Sequence, residues 1–313
     1  MQSESLDAPD DLREASGVTR WGEELLIVTD AHPGVYFRVP IKGAEGPIIL
    51  FSNGAARRQA LTGAQFAVDF ESIDVLADAR IVALSERLRS LVGENGLITQ
   101  YDDPLSEIGE RGLEGLAVRR NGDGSSQVAV LWEGGYIEDA ELQPQLRVRV
   151  QPKPLLPVIF THPIAPRETG FKLKIDSDSE LVELQVPLPD KDENGWRFRA
   201  PDLVWHSWSG DGSGVQNGLI VLLNSQLPRR RPDKAKFGPC WLQRFTTDGS
   251  LAGDPINLDD VCGATLKGAN WEGLGWFEEG RRLIMVHDQS KNVAEASALI
   301  VDIPVSWMLR SDS

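Results

Sequence analysis

The sequence predicts an all-β protein, a single-domain β-propeller with four-stranded antiparallel blades around a central channel, and three observations predict it. An acidic residue repeatedly opens a short apolar stretch that runs, after a turn, into a second apolar strand with a polar end. Helical periodicity is weak along the whole chain; Ile81 to Leu91, its best candidate, reads better as a strand and a loop. Glycine (30) and proline (19) fall mostly between the apolar runs, where turns belong. A repeated strand–turn–strand unit is the signature of a propeller or a related array.

The cycles follow in order. Glu14-Ala-Ser-Gly-Val leads to Leu25-Leu-Ile-Val-Thr-Asp30, and Glu71-Ser-Ile leads to Arg80-Ile-Val-Ala-Leu-Ser-Glu86. Glu114-Gly-Leu-Ala-Val leads to Gln127-Val-Ala-Val-Leu-Trp-Glu133. A looser copy runs from Asp202-Leu-Val-Trp to Gly218-Leu-Ile-Val-Leu-Leu-Asn224, and the last from Glu272-Gly-Leu-Gly-Trp to Arg282-Leu-Ile-Met-Val-His-Asp288. Five cycles are countable, and the long step from Glu114 to Asp202 leaves room for a sixth blade. Outer strands are expected at Val35–Ile41, Pro47–Phe51, Leu146–Val150, Leu155–Phe160, Phe171–Ile175, Leu181–Val186, Cys240–Phe245 and Ala298–Ile303. Alternation such as Leu146-Arg-Val-Arg-Val suits a half-exposed strand. Residues 1–12 read as a flexible tail and 13–310 as the propeller, with no linker evident.

At 313 residues with 41% hydrophobic composition, the chain can bury a large all-β core. No apolar run approaches the roughly 18–20 residues of a membrane helix. The first ten residues lack the basic start and apolar core of a signal peptide. Location is left open between the cytoplasm and an exported protein whose leader has been trimmed. With 47 acidic against 32 basic residues, the formal charge of −15 disfavours nucleic acid and anionic membranes as partners and favours cations. The two cysteines, Cys240 and Cys262, are expected as separate buried thiols, a disulfide being the alternative.

In a propeller the innermost strand of each blade runs along the channel and the next returns antiparallel beside it, so the first residue of one and the last of the next share a face. Glu14, Glu71, Glu114, Asp202 and Glu272 are therefore expected to ring the channel mouth, with Asp30, Glu86, Glu133, Asn224 and Asp288 just outside. Crowded carboxylates raise one another's pKa and call for neutralisation. A hard cation is one answer, and calcium suits flexible oxygen ligands. Arginine pairing is the other: Arg13, Arg111 and Arg199 precede opening acids, Lys267 stands near Glu272, and Arg87 follows Glu86. His32, His206 and His287 lie near the acids and are raw material for acid–base chemistry or simple hydrogen-bond partners.

Glu14-Ala-Ser-Gly-Val with Leu-Leu-Ile-Val-Thr-Asp30, Phe70-Glu-Ser-Ile, Arg111-Gly-Leu-Glu-Gly-Leu-Ala-Val118 and Asn270-Trp-Glu-Gly-Leu274 together resemble the phytase-like esterase family of β-propellers. More distantly the chain is similar to the SdiA-regulated propeller proteins. The resemblance implies calcium at the channel mouth and hydrolysis of phosphate or carboxyl esters. On that reading Glu14, Glu71, Glu114 and Glu272 are ligands or bases, and Arg87 or Arg111 steadies the developing anion. The chain departs from the pattern where Asp202-Leu-Val replaces Glu-Gly-Leu, and it shows no dense basic cradle for a polyphosphorylated substrate. The other reading is a non-catalytic propeller that binds a ligand or protein on its acidic rim.

Overall fold

The computed structural model describes residues 12, 14–41, 48–51, 56–61, 68–102, 112–133, 156–174, 181–186, 197–209, 215–226, 237–262, 269–288 and 297–308. The chain opens with β1 (Ala15–Trp21), β2 (Glu24–Thr29), β3 (Val35–Pro40), β4 (Ile48–Leu50) and β5 (Arg57–Ala60). Then come β6 (Ser72–Val75), β7 (Ile81–Ser85), β8 (Ser90–Gly93) and β9 (Gly96–Asp102). β10 (Leu113–Arg120), β11 (Ser126–Trp132), β12 (Val158–Ile164), β13 (Phe171–Lys174) and β14 (Val182–Glu183) follow. The last third holds β15 (Arg197–Ser209), β16 (Val215–Gln226), β17 (Phe237–Thr246), β18 (Ile256–Asn257), the short α1 (Leu258–Cys262), β19 (Asn270–Glu278), β20 (Arg282–Asp288) and β21 (Ser297–Asp302).

The strands form five sheets, ordered β1-β2-β3-β5, β6-β7-β8-β9-β13, β10-β11-β12-β14, β15-β16-β17-β18 and β19-β20-β21-β4. The protein is a five-bladed β-propeller. Each blade has four antiparallel strands, and the second adds β13, which lies parallel to β9. The stretch Pro47–Phe51, expected beside the first cycle, contributes β4 to the fifth blade instead, where Leu50 faces Ser297. That exchange joins the two ends of the ring and covers an edge that would otherwise template aggregation. The segment Leu146–Val150 and much of the long third step lie outside the described residues.

Five apolar cores each lie between neighbouring blades. Leu26, Val28, Ile73 and Ala83 join blades one and two; Leu84, Leu116, Val130 and Phe160 join two and three. Ala129, Leu131, Leu203 and Val221 join three and four; Ile220, Leu222, Leu283 and Met285 join four and five. Val18, Ile27, Ile284 and Val286 close the circle. Because β2, β7, β11, β16 and β20 are packed on both faces, they read as unbroken apolar runs rather than alternating ones. Tryptophans stitch the same seams. Trp205 Nε1 donates to the Ala117 carbonyl (3.2 Å) and Trp276 Nε1 to that of Trp205 (2.8 Å). Among the described residues no helix is long and apolar enough to cross a membrane.

Candidate functional site: the acidic channel mouth

Four of the five innermost strands enter the sheet through a β-bulge. Register breaks fall between Ala15 and Gly17, Leu113 and Gly115, Arg199 and Asp202, and Trp271 and Gly273. In the second blade Ser72 faces Leu84, and the Glu71 amide also donates to the Leu84 carbonyl (3.0 Å), which puts Glu71 in the same place. A bulged residue is freed from the ladder and re-aimed. Here the bulged positions are Ser16, Glu114, Pro201 and Glu272, and Glu71 matches them. Three opening glutamates thus share one register. Glu14 stands two residues earlier in its blade, and Asp202 one residue later. The closing residues Asp30, Glu86, Glu133, Asn224 and Asp288 all lie two beyond the partner of the first post-bulge residue, so they form one consistent ring.

Below the bulge the channel narrows to Gly17, Ser72, Gly115, Asp202 and Gly273. A Cβ on Gly17 would lie 2.6 Å from the Ser72 Cα, and one on Gly273 would lie 2.8 Å from the Gly17 Cα. Only small residues allow the inner strands to approach this closely. Asp202 is the exception, and it fills the waist. Its Oδ1 accepts from Ser72 Oγ (3.2 Å), the Leu116 amide (3.2 Å) and the Leu203 amide (2.9 Å), and its Oδ2 from the Leu274 amide (2.7 Å). Blades two, three, four and five therefore meet on one carboxylate, which occupies amides that an innermost strand edge leaves unpaired. Burial holds this carboxyl well above the usual range, while the four donors pull it back toward ionisation.

Above the waist, Arg199 of blade four reaches both neighbouring blades. Its Nη1 pairs with Glu133 (3.3 Å) and its Nη2 with Glu272, and Nη2 also donates to Asn270 Oδ1 (3.2 Å). Asn270 Nδ2 donates to Glu272 (2.6 Å) and Asp288 (3.4 Å), while Asn224 Nδ2 donates to Asn270 Oδ1 (3.1 Å). Cys240, which is buried, completes the chain by donating to Asn224 Oδ1 (2.6 Å); the Cys262 side chain lies outside the described residues. Burial pulls the Arg199 guanidinium down, but Glu272, Glu133 and Glu114 outweigh it and hold the group above its ordinary value.

The opposite side of the mouth has no arginine so deeply placed among the described residues, though Arg87 and Arg89 pull Glu86 down. Glu71 is pushed up to about 9 by burial and by the charges of Asp30, Glu272, Glu86 and Asp69. Asp30 is raised to about 7 by burial, then by Glu272, against a hydrogen bond with Ser16. Its outer edge stays open to solvent, which screens these repulsions. Asp288 rises to about 6 through burial and Glu272, and Glu114 rises through burial, Glu133 and Glu71. Glu86 is raised by burial and by Glu133. Carboxyls from four blades thus act on one another at one face. Glu14 joins them, adding its charge to Asp288, toward which it bridges. Arg87 instead lies out on the rim, 73% exposed and 3.3 Å from Asp69. Arg111, Arg13 and Lys267 lie outside the described residues.

A pH dependence follows. The folded protein keeps protons on Glu71, Asp30 and Asp288 that the unfolded chain releases near pH 4. The native state therefore binds more protons between about pH 4 and 9, and stability falls as pH rises through that window. Calorimetric melting in EDTA should give a lower Tm at about pH 9 than at about pH 6; a flat or rising trend would contradict the protonated mouth.

The histidines near the acids in sequence pack on aromatic rings. His287 is pulled down to about 4 by burial and packs edge-on against Trp271 (5.0 Å). His206, also held near 4 by burial, donates from Nε2 to the Trp307 carbonyl (2.6 Å), and His32 packs against Phe37 (5.5 Å). Sequence reasoning missed Asn270 and Asp69 at the mouth. Asn270 stood in the Asn270-Trp-Glu-Gly-Leu274 motif with no role assigned to it; nothing marked Asp69, which lies outside the repeat. As for a cation, the donor chemistry is that of a hard, oxygen-seeking ion. Among the described residues no three of His, Cys, Asp and Glu stand together at a distance that would hold one, so binding requires the carboxylates to swing inward.

No protein-family model matches the sequence, and no curated protein matches it. Solved structures similar to the chain include a streptogramin B lyase (10% identity, 96% of this chain and 97% of that one, TM-score 0.37). A thermostable family-43 glycoside hydrolase overlaps at 7% identity (95% and 91%, TM-score 0.45), and a native Bacillus subtilis arabinanase at 11% (97% and 97%, TM-score 0.42). At these values the likeness says nothing of activity.

Proposed function

We propose that the acidic mouth is a calcium-dependent hydrolytic site for phosphate or carboxyl esters, as the motif resemblance to phytase-like esterase propellers implies. The observation that carries the reading is the pair Glu71 and Asp30, contributed by adjacent blades and raised to about 9 and about 7. Carboxyls whose environments set them apart from the ordinary range, side by side, supply one acid and one base near neutral pH. Glu71 would hold the proton for a leaving oxygen, and Asp30 would accept one from water. Asp30, Glu272 and Asp288 would hold the calcium, and Glu14, Glu86 and Glu114 add negative charge around it. A bound calcium would polarise the ester and lower the pKa of water. Arg199 would keep Glu272 oriented from below.

The test is turnover of p-nitrophenyl phosphate and p-nitrophenyl acetate with calcium, with manganese and with EDTA. Metal-dependent turnover is expected, falling by roughly 10²–10⁴ in Glu71→Gln, the usual scale of a lost general acid. No metal-dependent turnover of either ester would leave the second reading, a non-catalytic rim. Arg199 favours that alternative, since it already neutralises Glu133 and Glu272.

A further inference from the structure

Arg244, on β17, is a buried cation that meets no anion among the described residues. It is 8% exposed, its Nε and Nη1 are enclosed with no hydrogen-bond partner, and among the described residues no carboxylate pairs with it. Arg38, Arg80 and Arg199 also bury a spare nitrogen, yet each grips a carboxylate through another. In a protein with a formal charge of −15 an unpaired arginine is conspicuous. Burying an unsatisfied charged donor costs free energy, and such groups persist where something else uses them.

The surroundings hold the guanidinium in place. Its carbon lies 4.9 Å from the Trp208 ring centre and 4.8 Å from that of Trp307, so indoles supply cation–π contacts in place of a counter-ion. His206 fixes both walls, stacking on Trp208 (5.6 Å) and hydrogen-bonding the Trp307 carbonyl. His206 is neutral at pH 7, its pKa held near 4 by burial, and does not compete for an anion. Nη2 is directed at Gly253, where a Cβ would lie 2.8 Å away, and that residue has φ +91°. Gly253 therefore sets no side chain against Nη2, the edge from which an anion would reach the fork. Gln243 donates to the Gly253 carbonyl (2.9 Å) and the Ala252 amide to that of Arg244 (3.0 Å), which fastens the turn. The flanking segments expose Leu251 (44%), Val215 (63%) and Val305 (82%).

Arg244 faces Ile220, four residues along β16 from Asn224 of the mouth, or about 13 Å down the strand at the usual rise. We propose that Arg244 is the receptor of a second site, at the end of the propeller away from the acids, for a small organic anion. Its carboxylate or phosphate would meet the guanidinium, and its apolar body would lie on the exposed valines and leucine. This site is independent of the hydrolytic reading of the mouth.

Benzoate, phenyl phosphate and neutral benzamide are the probes, followed by the indole N–H signals of Trp208 and Trp307 and by Tm. One or both anions should move these signals and raise the Tm, with benzamide inert; the tighter anion identifies carboxylate or phosphate as the natural group. Arg244→Met should weaken binding by about tenfold or more, the scale of a charge-assisted hydrogen bond. If Arg244→Met does not fold, Arg244→Lys, which keeps the charge and loses the fork, should still bind more weakly. Silence from both anions up to their solubility limits, an equal response to benzamide, or undiminished binding by the folded variant would overturn the proposal and leave Arg244 a packing residue.

Discussion

Asp202→Ala is expected to be the most destabilising single substitution at the channel. It strands the amides of Leu116, Leu203 and Leu274 and the Ser72 hydroxyl in a waist that Asp202 now fills. Each buried donor left unpaired costs about 1–3 kcal/mol, so with four of them a loss of roughly 4–12 kcal/mol is expected. A domain holds only about 5–15 kcal/mol, so the variant should melt roughly 10 °C lower or fail to accumulate folded. Asp202→Asn should be milder, at about 2–3 kcal/mol, because its oxygen can keep the Oδ1 bonds while its NH2 faces the Leu274 amide, donor against donor. Calorimetry in calcium and in EDTA separates this role from metal ligation. A waist residue loses the same stability in both, whereas a ligand loses more when calcium is present.

Asp202 also shows what the sequence could and could not reveal. The repeat itself was legible because β2, β7, β11, β16 and β20 are buried on both faces and must be continuously apolar. The closing residues were legible too, since each ends such a run and the runs share a register. The opening residues were not fully legible, because a β-bulge adds a residue without changing composition. Glu14 and Asp202 are acids in the right neighbourhood, yet the bulges place Ser16 and Pro201 where the other blades carry Glu71, Glu114 and Glu272. Sequence proximity misled in a second way. Arg199 stands three residues before Asp202 but reaches across both seams to Glu133 and Glu272, contacts that depend on ring closure. The β4 exchange was hidden for the same reason, as a three-residue strand carries no mark of its distant partner.

Arg199→Leu is the second large effect, and it bears on whether arginine or a cation neutralises the mouth. The variant removes one partner of Glu133, whose side chain is 4% exposed, and one of Glu272, at 16%. Breaking a buried ion pair from one side costs about 3–5 kcal/mol, because the surviving carboxylates keep their desolvation and lose their counter-charge. In EDTA the variant should therefore melt well below the parent, and the deficit should grow with pH as the acids ionise. Calcium now has more unneutralised oxygen to bind, and ligand charge sets affinity in such sites. Binding to the folded state alone stabilises by about 2.7 kcal/mol at one hundred times the dissociation constant, enough to recover much of the deficit. Recovery in calcium, with a smaller calcium effect on the parent, would mean that one mouth accommodates either kind of positive charge. A deficit indifferent to calcium would mean that the carboxylates cannot swing together, and the calcium reading of the mouth would fall with it.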